Sequence, residues 1–219
     1  MPWISVAGIA GPGDAFAEPR RTFATLELIR SRHPALHLCL STNGLGIGAH
    51  IEALAELKVG FVTVTVNAVD PEIGARLYSW IDWQGKKMVG VAAASLLLDR
   101  QLQALDRLKT KAIMVKVNTV VIPGINSDHV PAIAGKIAEI GVDLHNLIAM
   151  IPVPGTVLGK VSSPSLECMA SLRRAAECYL PQMHHCMRCR ADEVGLLGEN
   201  WKRPESLVKC RRDSREIQS

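Results

Sequence analysis

The chain has 219 residues, enough for one large domain or two small ones with a buried core. Apolar residues make up 48% of it and charged residues 21%, which excludes an intrinsically disordered protein. The formal net charge of +4 is mild, and few aromatic residues are available to stack on bases, so the sequence disfavours nucleic-acid binding.

The cysteine content points to a reducing compartment. Six cysteines in a chain of this length are too sparse for the disulfide framework of a small secreted domain. We find neither a signal-peptide pattern nor an apolar run long enough to span a bilayer. These features predict a cytoplasmic protein with no membrane partner, whose reduced thiols are available to bind a metal.

Strand and helix patterns alternate along the chain. In chain order they predict a strand at 3–9, a helix at 19–31, a strand at 36–40, a helix at 51–57 ended by Gly60, a strand at 61–66, a helical region at 86–108, a strand at 112–121, a helix capped at Ser127 or Asp128 and running to 140, a strand at 144–151 and a helix at 165–180. This alternation predicts an α/β fold with a parallel sheet, either Rossmann-like or a barrel. Five strands are too few to close an eight-stranded barrel.

A polar or Gly/Pro-rich loop follows every predicted strand. The loops lie at 11–14, 41–44, 67–71, 122–126 and 152–156. Because ligands of parallel α/β folds bind at the carboxyl ends of the strands, we expect these loops to line one pocket. None of them reads G-x-G-x-x-G or G-x-x-x-x-G-K-[ST], so the sequence disfavours a dinucleotide or a P-loop phosphate as the ligand.

A C-x-x-C pair near the end of the chain supplies candidate metal ligands. Cys186 and Cys189 have the spacing that lets two thiolates converge on one centre, and Arg188 and Arg190 beside them favour the thiolate form. The pair alone fits zinc, an iron–sulfur cluster or a redox dithiol.

Taken together, the loops resemble the NifB family of radical S-adenosylmethionine (SAM) proteins. The matching segments are V-A-G-I-A-G-P-G-D-A at 6–15, L-C-L-S-T-N-G-L at 38–45, V-T-V-N-A-V-D-P-E-I-G at 64–74, V-K-V-N-T-V-V-I-P-G-I-N at 115–126, L-H-N-L-I-A-M-I-P-V-P-G-T at 144–156 and H-C-M-R-C-R-A-D-E-V-G-L-L-G-E at 185–199. The resemblance implies a partial (β/α) TIM-like barrel of the radical SAM type over residues 1–180, lacking its first strand. A C-x-x-C cluster-binding segment at 181–200 would follow. Residues 201–219 fall outside the resemblance, and their concentration of Lys and Arg predicts a basic, disordered tail.

The resemblance also implies a chemistry. The family binds SAM on a [4Fe–4S] cluster and, by radical chemistry, fuses two further [4Fe–4S] clusters into the eight-iron, carbide-centred precursor of the nitrogenase iron–molybdenum cofactor. Its expected partners are nitrogenase cofactor-assembly proteins and iron–sulfur cluster donor proteins.

One family motif is missing from the sequence. The C-x-x-x-C-x-x-C triplet that holds the SAM cluster occurs nowhere in residues 1–219. We therefore expect this chain alone not to cleave SAM. The alternatives are a non-catalytic iron–sulfur scaffold or carrier, a degraded remnant and a zinc-binding α/β protein.

The resemblance assigns Cys186 and Cys189 to one auxiliary cluster and Cys39 to the other. The competing interpretations are a zinc knuckle for the C-x-x-C pair and a small buried hydrophobe for Cys39. Two further cysteines, Cys168 and Cys178, lie among apolar residues of a predicted helix, where core packing is the better interpretation. The roles of His184 and His185 stay open.

The candidate SAM-binding residues lie in the loops. Gly11, Gly13 and Asp14 occupy the turn that receives the methionyl amino group in radical SAM proteins; glycine admits close approach of the backbone, and Asp14 offers an acceptor to an ammonium. A plain turn capped by an aspartate is the alternative. Four more polar residues near strand ends are candidates for ribose or carboxylate contacts: Thr42, Asn43, Asn67 and Asn118.

Overall fold

The computed structural model describes residues 5–11 and 13–183. In chain order they form β1 (Val6–Ile9), α1 (Pro19–Arg32), β2 (His37–Thr42), a 3-10 turn (Ile47–His50), α2 (Ile51–Glu56), β3 (Val59–Thr65), α3 (Pro71–Leu77), β4 (Ile81–Trp83), β5 (Lys86–Met88), α4 (Gly90–Lys109), β6 (Met114–Val121), a 3-10 turn (Ser127–His129), α5 (Val130–Ile140), β7 (Leu144–Ala149) and α6 (Leu166–Glu177). None of these helices combines the length and apolar character needed to cross a bilayer.

The main sheet is parallel, and each successive strand along the chain is added at the same edge. Its strand order is β1-β2-β3-β6-β7, and each neighbouring pair is parallel. A doubly wound sheet reverses its strand order at a switch point, whereas a (β/α) barrel adds each new strand on the same side. The order therefore confirms the partial barrel over the Rossmann-like alternative.

All the larger helices cover the same face of this sheet. One core cluster contains residues from five helices together with the side chains that point toward them from the strands. Its helical members include Leu26, Leu54, Leu105, Ile133 and Ala176. The opposite, inner face of the sheet is the side on which a (β/α) barrel carries its ligand.

Two predicted boundaries were wrong. Helix α2 ends at Glu56, because Lys58 takes a left-handed backbone (φ 54°), and Gly60 lies inside β3. Neither Ser127 nor Asp128 caps a helix; both lie in a 3-10 turn, and α5 begins only at Val130.

The segment between β3 and β6 departs most from the prediction. Residues 86–88 form a strand paired with β4 in a two-stranded hairpin, and the long helix starts at Gly90. Helix α3 was not predicted, although Asp70 accepts a hydrogen bond from the backbone N–H of Glu72 and Pro71 follows at the first helical position. That Asp-Pro pair was an available helix-start pattern.

Buried His145 predicts an acid-sensitive fold. Its side chain on β7 is fully buried, Nε2 lies 3.0 Å from Thr119 Oγ1, and Nδ1 has no partner among the described residues. Burial lowers the pKa of His145 from 6.5 to about 3. Between pH 6.5 and about pH 3, the imidazole of His145 is protonated in the unfolded chain and neutral in the folded chain. The free energy of unfolding therefore has its full value above pH 6.5 and decreases as the pH falls toward 3.

We expect a loss of about 2 kcal/mol in unfolding free energy between about pH 7.5 and pH 5. Urea titrations across this range measure it. His145→Gln should remove most of this slope; an unchanged slope in that variant would show that another group causes the acid sensitivity.

Candidate functional site

Predicted site residues from two loops meet at Asp14. Its carboxylate accepts hydrogen bonds from the Thr42 hydroxyl (2.9 Å to Oδ2), from the backbone N–H of Asn43 and from the backbone N–H of Phe16 (2.9 Å). Because a carboxylate has about four acceptor positions, these donors already engage most of them. Asp14 therefore joins the loop after β1 to the loop after β2, and its contact with an amino group stays a prediction.

The glycines of the first loop leave its backbone accessible. Gly11 and Gly13 have positive φ angles of 49° and 89°, and a Cβ built on either would meet no atom within 4 Å. This turn thus combines the left-handed backbone that favours glycine with open space, as a close-approaching ligand requires.

Asn67, in the third predicted loop, is held by hydrogen bonds to its neighbours. Its Oδ1 accepts from the backbone N–H of Val120 (2.9 Å), and its carbonyl accepts from Nδ2 of Asn126 (2.9 Å). Asn67 and Gln101 also hydrogen-bond to Tyr78, whose pKa burial raises. These contacts fix the ends of β3 and β6 side by side.

Two polar rows cross the inner face of the sheet. Strand pairing aligns Ser41, Thr63 and Lys116 in one row. One step nearer the carboxyl ends it aligns Thr65, Asn118 and Asn146. Because side chains alternate along a strand, these residues lie opposite the apolar side chains that pack on the helices.

The second row contains a buried amide pair. Asn146 Nδ2 donates to Asn118 Oδ1 (3.1 Å), and Asn146 Oδ1 is buried without a partner among the described residues. Asn118 was predicted as a site residue, and Asn146 was not. The period-2 pattern of L-H-N-L-I-A, which puts Asn146 on the same face as Leu144, was the available signal.

Cys39 also lies on this inner face. Its strand neighbours Leu38 and Leu40 are fully buried in the core, whereas Cys39 is half-buried and alternates to the other side. Burial raises the pKa of the Cys39 thiol, and the positive charge of Lys116 opposes this rise. Cys39 therefore sits apart from the apolar core cluster, and its ligand role remains a prediction.

The described part of the chain ends beside the same face. After α6 the backbone of Pro181 and Met183 hydrogen-bonds to His145 on the outer edge of β7, as in a short parallel bridge. Met183 Sδ lies 3.8 Å from Nζ of Lys116. Residue 183 thus adjoins the inner face, three positions before Cys186.

The remaining candidates divide into two groups. Cys186, Cys189, His184 and His185 lie outside the described residues, as does the basic tail at 201–219. Cys168 and Cys178 are half-buried on or next to α6. Within residues 5–11 and 13–183, no three His, Cys, Asp or Glu side chains converge as a metal site would require.

A family model described as the Radical SAM superfamily matches residues 9–137, which run from the end of β1 into α5. The chain belongs to the radical SAM superfamily. Membership names SAM and a [4Fe–4S] cluster as the cofactors. The open glycine turn, the amides and the hydroxyls of the inner face suit SAM. For a cluster, the described residues offer one thiol on this face, Cys39, and no set of three ligands.

Several curated relatives of this radical SAM chain carry the name FeMo cofactor biosynthesis protein NifB. The protein of Chlorobaculum tepidum is 46% identical over 90% of the chain and 47% of its own length. That of Bradyrhizobium diazoefficiens is 44% identical over 91% of the chain and 41% of its own length, and that of Klebsiella pneumoniae is 43% identical over 91% and 44%. The chain thus spans less than half the length of these relatives.

Proposed function

We propose that this chain is the NifB-type radical SAM part of a protein that builds the nitrogenase iron–molybdenum cofactor. The observation that carries the proposal is the 46% identity to a FeMo cofactor biosynthesis protein over 90% of the chain. An inner sheet face that offers a thiol, an ammonium, hydroxyls and amides supports it.

The chain's own residues have distinct tasks under this proposal. The turn at Gly11 and Gly13 admits the methionyl end of SAM, and Asp14 holds that turn against Thr42. Asn43, Asn67 and Asn118 contribute carbonyl and amide groups at the strand ends. When bound, SAM and its cluster supply one-electron chemistry and the methyl carbon that becomes the carbide of an eight-iron product.

The substrate clusters would be held by thiolates from two directions. Cys39 would contribute from β2, and Cys186 and Cys189, which follow Met183 in the sequence, would contribute the other thiolates. Thiolates suit this task because they hold iron–sulfur clusters while leaving some irons open.

The proposal includes cytoplasmic partners. Iron–sulfur cluster donor proteins would deliver the substrate clusters, and nitrogenase cofactor-assembly proteins would receive the product. A non-catalytic scaffold that holds one cluster is the second candidate, because the sequence contains the C-x-x-C pair Cys186 and Cys189 but not the C-x-x-x-C-x-x-C triplet that holds the SAM cluster.

Iron counts after anaerobic reconstitution test the proposal. An intact enzyme with three clusters needs about twelve irons per chain, whereas a scaffold needs about four. We expect Cys39→Ala and Cys186→Ala each to lower the iron content by up to one cluster. The control is Cys168→Ala, which replaces a half-buried thiol on α6 and should leave the iron content unchanged. Full iron retention in Cys186→Ala would refute the assignment of that site, and zinc without a visible charge-transfer band would refute the cluster.

A further inference from the structure

We infer that Asn146 is a positioning residue of the inner face, whose amide orients Asn118 so that Nδ2 of Asn118 donates a hydrogen bond to an oxygen atom of bound SAM. That oxygen belongs to the methionyl carboxylate or to the ribose, which share this acceptor chemistry. The inference rests on the proposed function and adds to it a residue that touches Asn118 rather than the ligand.

The first support is the direction of the bond between the two amides. Asn146 Nδ2 donates to Asn118 Oδ1 (3.1 Å), which engages the oxygen of the Asn118 amide on the side of β7. Because the oxygen and the nitrogen of a planar amide point in different directions, Nδ2 of Asn118 is turned away from Asn146. This nitrogen has no hydrogen-bond partner among the residues that the structure describes, so its two N–H donors are available to a ligand.

The second support is the difference in burial between the two residues. Asn118 keeps 7% of its surface exposed, whereas Asn146 is fully buried. A ligand on the inner face therefore meets Asn118 and not Asn146, so that Asn146 acts on the ligand through Asn118.

The third support is that stability does not explain an amide at position 146. Asn146 Oδ1 is buried without a partner among the described residues, and such an acceptor destabilises a fold. Leu144 and Ile148 precede and follow Asn146 on the same face of β7, where apolar side chains are thus accommodated. An apolar residue at 146 would avoid the unpaired oxygen, and the contribution that it could not make is the hydrogen bond that orients Asn118.

The neighbouring row favours an oxygen acceptor as the ligand group. Lys116 lies two residues before Asn118 on β6 and therefore on the same face. Its ammonium can only donate, its recorded hydrogen bond goes to the thioether of Met183, and among the described residues no carboxylate forms an ion pair with it. Two donors that project from one strand suit a carboxylate or a hydroxyl oxygen and disfavour an ammonium at this position.

Calorimetric titration of the full chain with SAM, beside urea unfolding, tests the inference. We expect Asn146→Leu to weaken SAM binding about tenfold, because Asn118 is no longer oriented, and to leave the urea midpoint close to the wild-type value. In the Asn118→Ala background the same substitution should have no further effect on SAM binding, since Asn146 acts through Asn118. The control Gln103→Leu removes an exposed amide from α4 and should change neither quantity.

Titration with decarboxylated SAM identifies the oxygen. If Asn118 donates to the carboxylate, Asn146→Leu and the wild type should bind this analogue equally. A tenfold difference that persists with the analogue assigns the bond to the ribose, and either result supports the inference.

Unchanged SAM affinity in a folded Asn146→Leu chain would overturn the inference. An equal loss in the Asn118→Ala background would also overturn it, because Asn146 would then act without Asn118. If Asn146→Leu does not fold, Asn146→Val replaces it and the same titrations decide. A wild-type chain that binds no SAM would instead refute the proposed function itself.

Discussion

Replacing Asn126 with alanine should lower the free energy of unfolding by about 4 kcal/mol. The Asn126 side chain is fully buried, and its Oδ1 accepts from the backbone N–H of Ile122 (2.7 Å). Its Nδ2 donates to the carbonyls of Asn67 and Val120, both at 2.9 Å. Truncation leaves three backbone groups without this partner in a site that water does not reach.

Equilibrium urea unfolding of Asn126→Ala measures this effect. Asn43→Ala is the matched control, because Asn43 is exposed and its side chain accepts one local hydrogen bond, from the backbone N–H of Leu45. We expect the control to lose less than about 1 kcal/mol. Equal losses in the two variants would show that the buried hydrogen bonds of Asn126 stabilise the fold no more than the exposed hydrogen bond of Asn43.

Replacing Gly44 with alanine should cost about 3 kcal/mol, the second largest effect. Gly44 has a φ of 87°, and a Cβ there would lie 2.7 Å from Cγ of Gln101 and 3.0 Å from Cγ1 of Val64. Gln101 cannot move freely, since it is buried and its Nε2 donates to the carbonyls of Asn43 and Thr65. The new methyl group would thus disturb the ends of both β2 and β3.

Gly85→Ala separates backbone strain from crowding. Gly85 has a similar φ of 74° in the turn between β4 and β5, but a Cβ there meets no atom within 4 Å. In Gly85→Ala the free energy of unfolding should fall only by the cost of holding a non-glycine residue in the left-handed conformation, about 1 kcal/mol. Thermal or urea unfolding of both variants decides; a loss at Gly85 as large as that at Gly44 would contradict the crowding argument.

Local patterns were sufficient to predict most of the fold. The alternation F-V-T-V-T-V predicted β3, and the polar loops after the strands predicted that Asp14 and Thr42 would lie at one edge of the sheet, where they share a hydrogen bond. Residues 86–88 were predicted as helix because their strand is short and paired only within a hairpin, so its period-2 signal is weak.

Asn146 had a local signal in its strand pattern, whereas the contacts of Asn126 and Met183 join distant parts of the chain. Asn126 bonds to a carbonyl 59 positions earlier, and Met183 approaches Lys116 from 67 positions later. Neither contact leaves a periodic pattern in the sequence. Lys116 is distinguished from other lysines by the neutral row in which the sheet places it, and only the strand register shows that row.

Anomalous diffraction at the iron absorption edge, from crystals of the anaerobically reconstituted chain, tests the central claim most directly. The claim is that the inner face of this radical SAM sheet holds an iron–sulfur cluster at Cys39. We predict an iron peak bonded to Sγ of Cys39, at about 2.3 Å, on the face that carries Lys116 and Asn118. Iron found only away from that face, or zinc in its place, would contradict the claim.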